Sequence, residues 1–421
     1  MGVSSPSQLG APHRQRGLGA LRHPRYRVYF GGQAVSAVGT WMQSLALPWL
    51  VLELTHSALW VGGVLAVHHL PAVAAGPARS LIADRFPKRS LLLLTQAAFL
   101  LPASFLFAIT GAGVAAPWMV LLAALGWGLI QIVDAPTRQG FALELVGRED
   151  LMHAIALNST LWNAGSVAGS LAAGALIAAG GLPLCFLANA VSCLPALLAL
   201  ALLGSLQGGV RTRARGDHGR QVVEGARHVR RDPLLALLLV VVVAFALFGM
   251  NRLVLVPVFA GDVLRTGPSG FGLLMAALGL GTLAGAVTLP VVGRRVPWRR
   301  QLWIGLGWAA ALAAFGLSRS EALSGAVLFV AGACQTWFLA AASAQIQLHT
   351  PDPLRGRVAA FYAQVVMGAA PVGAVLAGWM AMAYGAPVAV VSLAMASTLV
   401  VVAVRVVRPS VFTLSPREQD I

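Results

Sequence analysis

A small set of ionisable side chains stands inside otherwise apolar segments of the chain, where such groups are costly to bury. Asp134 and Arg138 are spaced at i and i+4, which places both on one face of a helix as an ion pair. The adjacent His68 and His69 could carry a proton near neutral pH, and Arg252 could bind an anion. These residue types point to proton transfer and to the binding of charged small molecules.

Each of these residues has a second interpretation that the sequence leaves open. For Asp134 with Arg138, a brace near the inner end of a helix is favoured over proton transfer, because a carboxylate held in an ion pair is a poor proton carrier. A histidine packed and hydrogen-bonded between helices is commoner than a proton carrier. Arg252 can reach water at the nearby end of its segment instead of a cavity. Glu53 ends its apolar segment and is either a wet helix end or a proton-coupling residue.

Long apolar segments must position these residues. The 421 residues are 58% hydrophobic and 10% charged, whereas about a quarter of a soluble domain is charged. Apolar stretches of about 18 or more residues recur, each long enough as a helix to cross roughly 30 Å of hydrocarbon. The sequence therefore predicts an all-α polytopic membrane protein with twelve spans, at 28–54, 57–83, 90–110, 116–138, 152–179, 183–205, 234–259, 271–293, 301–318, 322–348, 357–384 and 387–407.

The net charge of +16 is distributed unevenly along this topology. If the N-terminus is inside and the spans alternate, only Arg252, Arg265 and Arg319 fall away from the inner loops, helix ends and tails. Such an excess of cations beside inner helix ends is the positive-inside pattern. We therefore expect both termini to be cytoplasmic, the protein to lie in the inner (plasma) membrane, and no nucleic acid to be a partner. No cleavable signal peptide is visible before the first span.

The chain divides into two halves that resemble each other. We predict two six-span bundles, a linker and two cytoplasmic tails, in the order 1–27 (tail), 28–206 (N-terminal bundle), 207–232 (linker), 233–407 (C-terminal bundle) and 408–421 (tail). Pro48 and Gly76 of the first half recur, at one common spacing, as Pro257 and Gly285 of the second half. Parallel repeats of this kind are typical of transporters that hold the substrate near the midplane, between the halves.

A charged turn, GPARSLIADRFPKR, separates the second and third spans. Its part from Ser80 to Arg89 resembles the signature between helices 2 and 3 of the major facilitator superfamily, with Ser80 and Pro87 where the signature prefers glycine. The segments LRHPRYRVYFGGQAVSAVGTWMQSLALPWLVLELT and DPLRGRVAAFYAQVVMGAAPVGAVLAG are similar to the branch that contains the enterobactin exporter and related drug-efflux proteins.

This resemblance implies twelve helices in two pseudo-symmetric bundles and transport by alternating access. It also implies that Asp84 fastens the halves through the start of span 11 when the cavity opens outward, which makes a gating set of Asp84, Arg85, Lys88, Arg89 and Arg357. In span 5 the resemblance extends to the antiporter motif, with Ser170 in place of a proline, at Gly165, Gly169, Ser170 and Gly174. Ordinary packing of small residues between helices is an equal alternative for that motif.

The resemblance makes spans 1 and 7 walls of the cavity. Gln43 and Arg252 are therefore expected to face each other across it. Further polar and aromatic groups expected at the cavity or substrate are Trp41, Gln131, Asn163 and Gln345. Such a lining suits bulky amphipathic solutes, although tryptophans also populate membrane interfaces.

The function that we expect is export of small organic, drug- or siderophore-like molecules by proton antiport, from a monomer in the lipid bilayer. We expect no cofactor and no metal site, because the three cysteines lie inside apolar segments without ligand spacing. The only lysine, Lys88, follows Pro87 and not a glycine-rich loop, which argues against an ATP-driven pump. No clustered catalytic set indicates an enzyme. Proton-independent uptake, facilitated transport and a non-transporting membrane sensor remain as alternatives.

Overall fold

The computed structural model describes residues 19–76, 86–147, 149–204, 218–292 and 298–407. These ranges are almost entirely helical and contain no strand. A 3-10 turn at Gly19–Arg22 precedes the helices of the first half, which are α1 (Pro24–Thr55), α2 (Ala58–Ala75), α3 (Lys88–Gly111), α4 (Pro117–Val146), α5 (Leu151–Gly180) and α6 (Leu182–Leu202). The second part of the chain forms α7 (His218–Arg231), α8 (Pro233–Ala244), α9 (Arg252–Val258), α10 (Gly267–Val292), α11 (Trp298–Leu317), α12 (Glu321–Leu348), α13 (Arg355–Tyr384) and α14 (Ala386–Val407).

Within the described ranges, 11 helical segments are long and apolar enough to cross a membrane. One of them, Pro233–Val263, comprises α8, α9 and two π-helical stretches. The helix α11 falls outside this set, because Arg299, Arg300 and Gln301 occupy its first turn. The all-α membrane architecture is confirmed, and the count of twelve spans stays a prediction.

Glycine and proline residues mark the helix ends. Gly147 (φ 73°) ends α4 and Gly385 (φ 82°) ends α13, a left-handed conformation that glycine adopts without strain. Pro233 opens α8 at its first turn, where the missing backbone N–H costs nothing. The preceding Asp232 caps this helix by accepting hydrogen bonds from two backbone N–H groups, the shorter at 2.8 Å. Asp232 and Pro233 therefore fix the point at which the polar segment stops and the apolar helix α8 begins.

The long helices, with α8 and α9 counted as one, alternate in direction along the chain, so their connections collect at two ends. The basic end comprises residues 19–23, 86–89, 149–150, 218–232, 298–300 and 349–357. The opposite end comprises residues 56–57, 112–116, 181, 264–266, 318–320 and 385. In the first half, α1 packs on α5 and α6, while α4 packs on α2 and α3. In the second half, α12 packs on α10 and α11, and α11 also packs on α14.

Two helix pairs make the most extensive contacts between the halves: α2 with α13, and α5 with α10. Near the opposite end these pairs touch through glycines. A Cβ atom added to Gly62 would collide with the backbone of Ala374, and one added to Gly378 would lie 3.1 Å from the Cα of Leu59. Such contacts allow backbones to approach closely without a hydrophobic driving force in lipid. The indole of Trp49 also stacks on the ring of Phe271 in α10, with centroids 5.8 Å apart.

The predicted linker, 207–232, contains α7, which packs against α13. A Cβ atom added to Gly225 would collide with the carbonyl of Arg357, at the start of α13. Val229 of α7 is buried, whereas Arg227, Arg230 and Arg231 are exposed. One face of this helix therefore covers the second half, and the other face is cationic.

Candidate functional site

A cavity of about 380 Å³, the central chamber, lies between the two halves. Helices α1, α2 and α4 form its wall on one side, and the α8–α9 segment and α13 form the other. Its volume falls within the range of small-molecule sites, about 300–1,000 Å³. Its polar and aromatic lining residues are Trp41, Ser44, His68, His69, Trp127, Asn251 and Arg252. In the described part of the chain, the lining includes no aspartate or glutamate.

Arg252 lines the central chamber at an interruption of the predicted span 7. After the π-helical stretch Phe245–Gly249, Met250 and Asn251 leave the helix, and α9 begins at Arg252. The side-chain amide of Asn251 donates a hydrogen bond of 2.6 Å to the carbonyl of Leu247 and so occupies one backbone acceptor at the break. The structure places Arg252 in the chamber rather than at the end of its span. The sequence did not predict this interruption of the helix. The only feature that could have indicated it is the polar pair Asn251 and Arg252 within an apolar run.

His68 and His69 of α2 both line the central chamber. Their rings are 4.9 Å apart in an edge-on arrangement. The ring of His68 also lies edge-on to the indole of Trp127, at 5.7 Å. The two histidines are thus packed on aromatic rings and in contact with the chamber, so packing and proton transfer are both compatible with their positions.

The prediction that Gln43 faces Arg252 across the cavity is wrong. Gln43 is buried between α1 and α6, where its side-chain oxygen accepts a hydrogen bond of 2.5 Å from the amide of Asn189. Successive helical residues are about 100° apart, so residues 41 and 43 lie on roughly opposite faces of α1. Trp41 accordingly lines the central chamber, as expected, while Gln43 packs on α6.

A second cavity of about 160 Å³, the lateral cavity, lies within the first half. Its polar and aromatic lining includes Thr40, Gln131, Asp134, Arg138, Gln139, Asn158 and Trp162. Trp127 borders both cavities and separates them. Gln131 was expected at the substrate cavity and instead lines the lateral one.

The predicted pair of Asp134 and Arg138 is present beside the lateral cavity, with Arg138 Nε 2.5 Å from Asp134 Oδ2. The other carboxylate oxygen accepts hydrogen bonds from Thr95 Oγ1 at 2.8 Å and Gln96 Nε2 at 3.2 Å. Arg138 also donates to the side-chain oxygen of Gln33. The network ties α1, α3 and α4 together, which is the arrangement that a brace requires.

Asn163 and Gln345 line neither cavity, contrary to the expectation that they contact the substrate. On α5 it is Asn158 and Trp162 that face the lateral cavity, and Asn163 is turned about 100° from Trp162. Gln345 is buried on α12, which packs mainly on α10 and α11 of its own half. A polar residue in an apolar segment is thus as readily placed between helices as in a cavity.

Glu53 is exposed near the opposite end of the molecule. Its carboxylate accepts a hydrogen bond of 2.6 Å from the indole N–H of Trp49. It does not belong to the lining of the central chamber. This position agrees with a wet helix end.

Of the expected gating residues, Asp84 and Arg85 lie outside the described ranges. Lys88 forms an ion pair with Glu144 of α4, at 2.8 Å, and both side chains are mostly buried. Arg89 donates hydrogen bonds of 2.8 and 3.1 Å to the last carbonyls of α6. Both cations therefore bind the start of α3 to helices of the same half.

Arg357, the fifth expected gating residue, forms an ion pair of 2.6 Å with Glu224 of α7. Both side chains are about two-fifths exposed. The start of α13 is therefore held by the helix of the linker in this structure. No feature of the sequence singled out Glu224 beforehand.

The antiporter-like residues of α5 contact both halves. A Cβ atom added to Gly165 would lie 3.2 Å from the side chain of Ala37, and one added to Gly169 would lie 2.6 Å from the Cβ of Trp41. Gly174 packs against Gly272 of α10 across the boundary between the halves. Ser170 is buried and donates to the carbonyl of Ser166, at 2.6 Å. Small residues thus bring α5 close to α1 on one side and α10 on the other.

A family model described as transmembrane secretion effector matches residues 15–418. The multidrug efflux pump Tap of Mycolicibacterium fortuitum is 28% identical over 381 residues, covering 86% of this chain and 90% of that protein. The enterobactin exporter EntS of Shigella flexneri is 28% identical over 378 residues, covering 86% of each. The crystal structure of the nucleoside transporter NupG superposes with a TM-score of 0.73 at 13% identity, covering 92% of this chain and all of that one. The chain therefore belongs to the transmembrane secretion effector family of the major facilitator superfamily, and is a multi-pass membrane transporter of a small molecule rather than an enzyme.

Proposed function

We propose that the protein exports small organic molecules, drug-like or siderophore-like in size and character, across the inner (plasma) membrane in exchange for protons. The observation that carries the proposal is the central chamber, which both halves line and which reaches about 380 Å³. The related proteins Tap and EntS, which are efflux proteins by name, support the outward direction. A monomer with both termini in the cytoplasm is part of the same proposal.

The contacts between the halves support alternating access as the mechanism. The glycine contacts of α2 with α13, and of α5 with α10, cluster toward the opposite end. They must part before the chamber can open there. Nearer the basic end, the side-chain amide of Gln364 donates a hydrogen bond of 3.0 Å to the carbonyl of Val73. The expected latch between Asp84 and the start of α13 belongs to this proposal, as the contact that forms when the opposite end opens.

Among the proton-coupling candidates, His68 and His69 are best placed, because both line the chamber where substrate binds. Asp134 is engaged by Arg138 and two further donors. Glu53 lies at an exposed helix end. Replacement of both histidines by asparagine should therefore uncouple transport from protons without removing the chamber.

Transport into inverted membrane vesicles tests the proposal. Vesicles with the protein should accumulate a solute against its gradient when the lumen is acidic, and an uncoupler should abolish the accumulation. Vesicles from the same cells without the protein are the control. Accumulation that ignores the uncoupler contradicts proton antiport and favours proton-independent transport. A broad panel with no transported solute would instead favour the membrane sensor.

A further inference from the structure

We infer that the central chamber binds anionic aromatic molecules, carboxylates or sulfonates, whose acidic group pairs with Arg252. The inference rests on the proposed function in one respect, that the central chamber is the substrate site. It adds the class of molecule that this site binds. It follows from the charge of the lining, from its unpaired hydrogen-bond donors, and from its aromatic surfaces.

The charge of the chamber lining has one sign. The guanidinium of Arg252 keeps its charge at any physiological pH, and it forms no ion pair within the described residues. Among the described residues, no carboxylate lines the chamber. Asp134, in the lateral cavity, is already engaged by Arg138. An arginine in the middle of a membrane-spanning segment is costly without a counter-charge, so an anionic ligand would supply what the protein does not.

Three side chains of the lining, those of Trp41, Trp127 and Arg252, can only donate hydrogen bonds. The indole nitrogens of Trp41 and Trp127 are buried and have no hydrogen-bond partner within the described ranges. An indole N–H can only donate, and a buried donor without an acceptor is unfavourable. A ligand rich in acceptor oxygens therefore matches this lining better than one rich in N–H groups.

The rest of the lining is aromatic or aliphatic, with Leu65, Val366 and Ala370 among its residues. Trp41 and the imidazoles of His68 and His69 are partly exposed in this lining and offer ring surfaces to a flat apolar body. Indole faces also attract organic cations. Such a cation would share the chamber with Arg252, and the described lining residues include no carboxylate to offset the repulsion. The net charge of the lining therefore selects the anion.

Direct binding to the purified full-length protein tests the inference without requiring transport. The probes are three matched naphthalene compounds: naphthalene-2-carboxylate, its neutral carboxamide, and 2-naphthylmethylammonium. Equilibrium dialysis against protein in nanodiscs of zwitterionic lipid, with empty nanodiscs subtracted, gives the three affinities. We expect the carboxylate to bind at least about tenfold more tightly than the carboxamide, and the cation most weakly. Equal affinities, a preference for the cation, or no binding of any probe would overturn the inference.

Variants test whether Arg252 is the residue that causes the preference for the carboxylate probe. Arg252→Gln should reduce binding of the carboxylate to the level of the carboxamide, and Arg252→Lys should keep part of the difference. Arg300→Gln removes an exposed arginine at the start of α11 and should leave the preference unchanged. A preference that survives in Arg252→Gln, with the variant eluting as the folded protein, would also contradict the inference. Anion-selective binding without efflux would reject only the export proposal, and efflux without anion-selective binding would reject only this inference.

Discussion

Asp134 is 2% exposed, and its carboxylate has three hydrogen-bonding partners, so these neighbours depend on its charge. In Asp134→Asn, Arg138 keeps a buried charge without its counter-ion, which destabilises proteins by about 3 kcal/mol or more. The exposed pair of Asp352 and Arg355, at 2.7 Å, is the matched control. Asp352→Asn should cost less than about 1 kcal/mol, because solvent screens that pair. Thermal unfolding in detergent, followed by loss of the size-exclusion peak, compares the two, and equal shifts would contradict the brace.

A second carboxylate, Asp150, fastens the start of α1 to the start of α5. It lies 2.9 Å from His23 Nε2 and 3.3 Å from His153 Nδ1. The hydrogen bond from His23, with a smaller contribution from His153, lowers the pKa of Asp150 below its usual 3.8. Its contribution to stability is therefore complete above that value and is lost as the pH falls through the lowered pKa.

The measurement for Asp150 is hydrogen exchange of the turn Gly19–Arg22, corrected for the intrinsic pH dependence. Protection should be constant from neutral pH down to about the usual pKa and should fall below it. In Asp150→Asn the protection should be low throughout, without a step. A step near neutral pH in the natural protein would show that a group other than Asp150 controls the contact.

The partner of a side chain was predictable from the sequence where the two residues lie close together along the same helix. The pairing of Asp134 with Arg138 follows from helical spacing alone and is observed. The partner of Gln43 is not local, because it depends on which face of α1 meets α6. The sequence therefore predicts that Gln43 is a polar residue inside the membrane. It does not predict whether the side chain faces a cavity or forms a hydrogen bond with Asn189.

The contact of α2 with α13 allows a test of whether close glycine packing sets the distance between the halves. A Cβ atom at Gly62 would collide with the backbone of Ala374, whereas one at the adjacent Gly63 would meet nothing within 4 Å. Gly62→Val should therefore push the halves apart at the opposite end, and Gly63→Val should not. Both variants place the same residue in the same helix, so helix propensity is matched.

The separation between the halves is measurable by pulsed electron paramagnetic resonance between spin labels on cysteines introduced at Val114 and Ser320, which are exposed at the opposite end, one in each half. The mean distance should increase in Gly62→Val and remain at the value of the unsubstituted protein in Gly63→Val. Transport should fall in the first variant, because the close contact at the opposite end no longer forms. Equal distances in the two variants would show that this glycine contact does not set the spacing of the halves.

The helices themselves were predictable because an apolar stretch of sufficient length has few alternatives in lipid. The predicted span 234–259 is observed as part of Pro233–Val263. Its interruption at Met250 and Asn251 was not predicted, because the residues around it read as a continuous apolar run. The contact that accommodates the break comes from another helix: a Cβ atom added to Gly373 of α13 would lie 3.0 Å from Asn251 Oδ1. A helix break supported by a distant glycine leaves little trace in local sequence.

The topology of the whole molecule, that is, the number of spans and the side on which each terminus lies, depends on whether α11 crosses the membrane. The other 11 spans are long and apolar enough, while α11 begins with two arginines and a glutamine. If α11 crosses, the chain has an even number of spans and both termini lie on the same side. If it does not, the C-terminus lies on the side opposite to the N-terminus. The positive-inside pattern favours crossing, because Arg355, Arg357 and Arg405, which follow α11, then join the other cations at the basic end.

Fusions of green fluorescent protein, which does not become fluorescent after export through the general secretory route, decide this question. A fusion after Val407 should be fluorescent, and so should a fusion to the N-terminus. A fusion after Ser320, in the connection that follows α11 at the opposite end, should be dark. A dark fusion after Val407 together with a fluorescent one after Ser320 would mean that α11 does not cross. The two pseudo-symmetric bundles would then have to be abandoned, because they require six spans in each half, and residues 349–357 would no longer lie on the cytoplasmic side with the rest of the basic end.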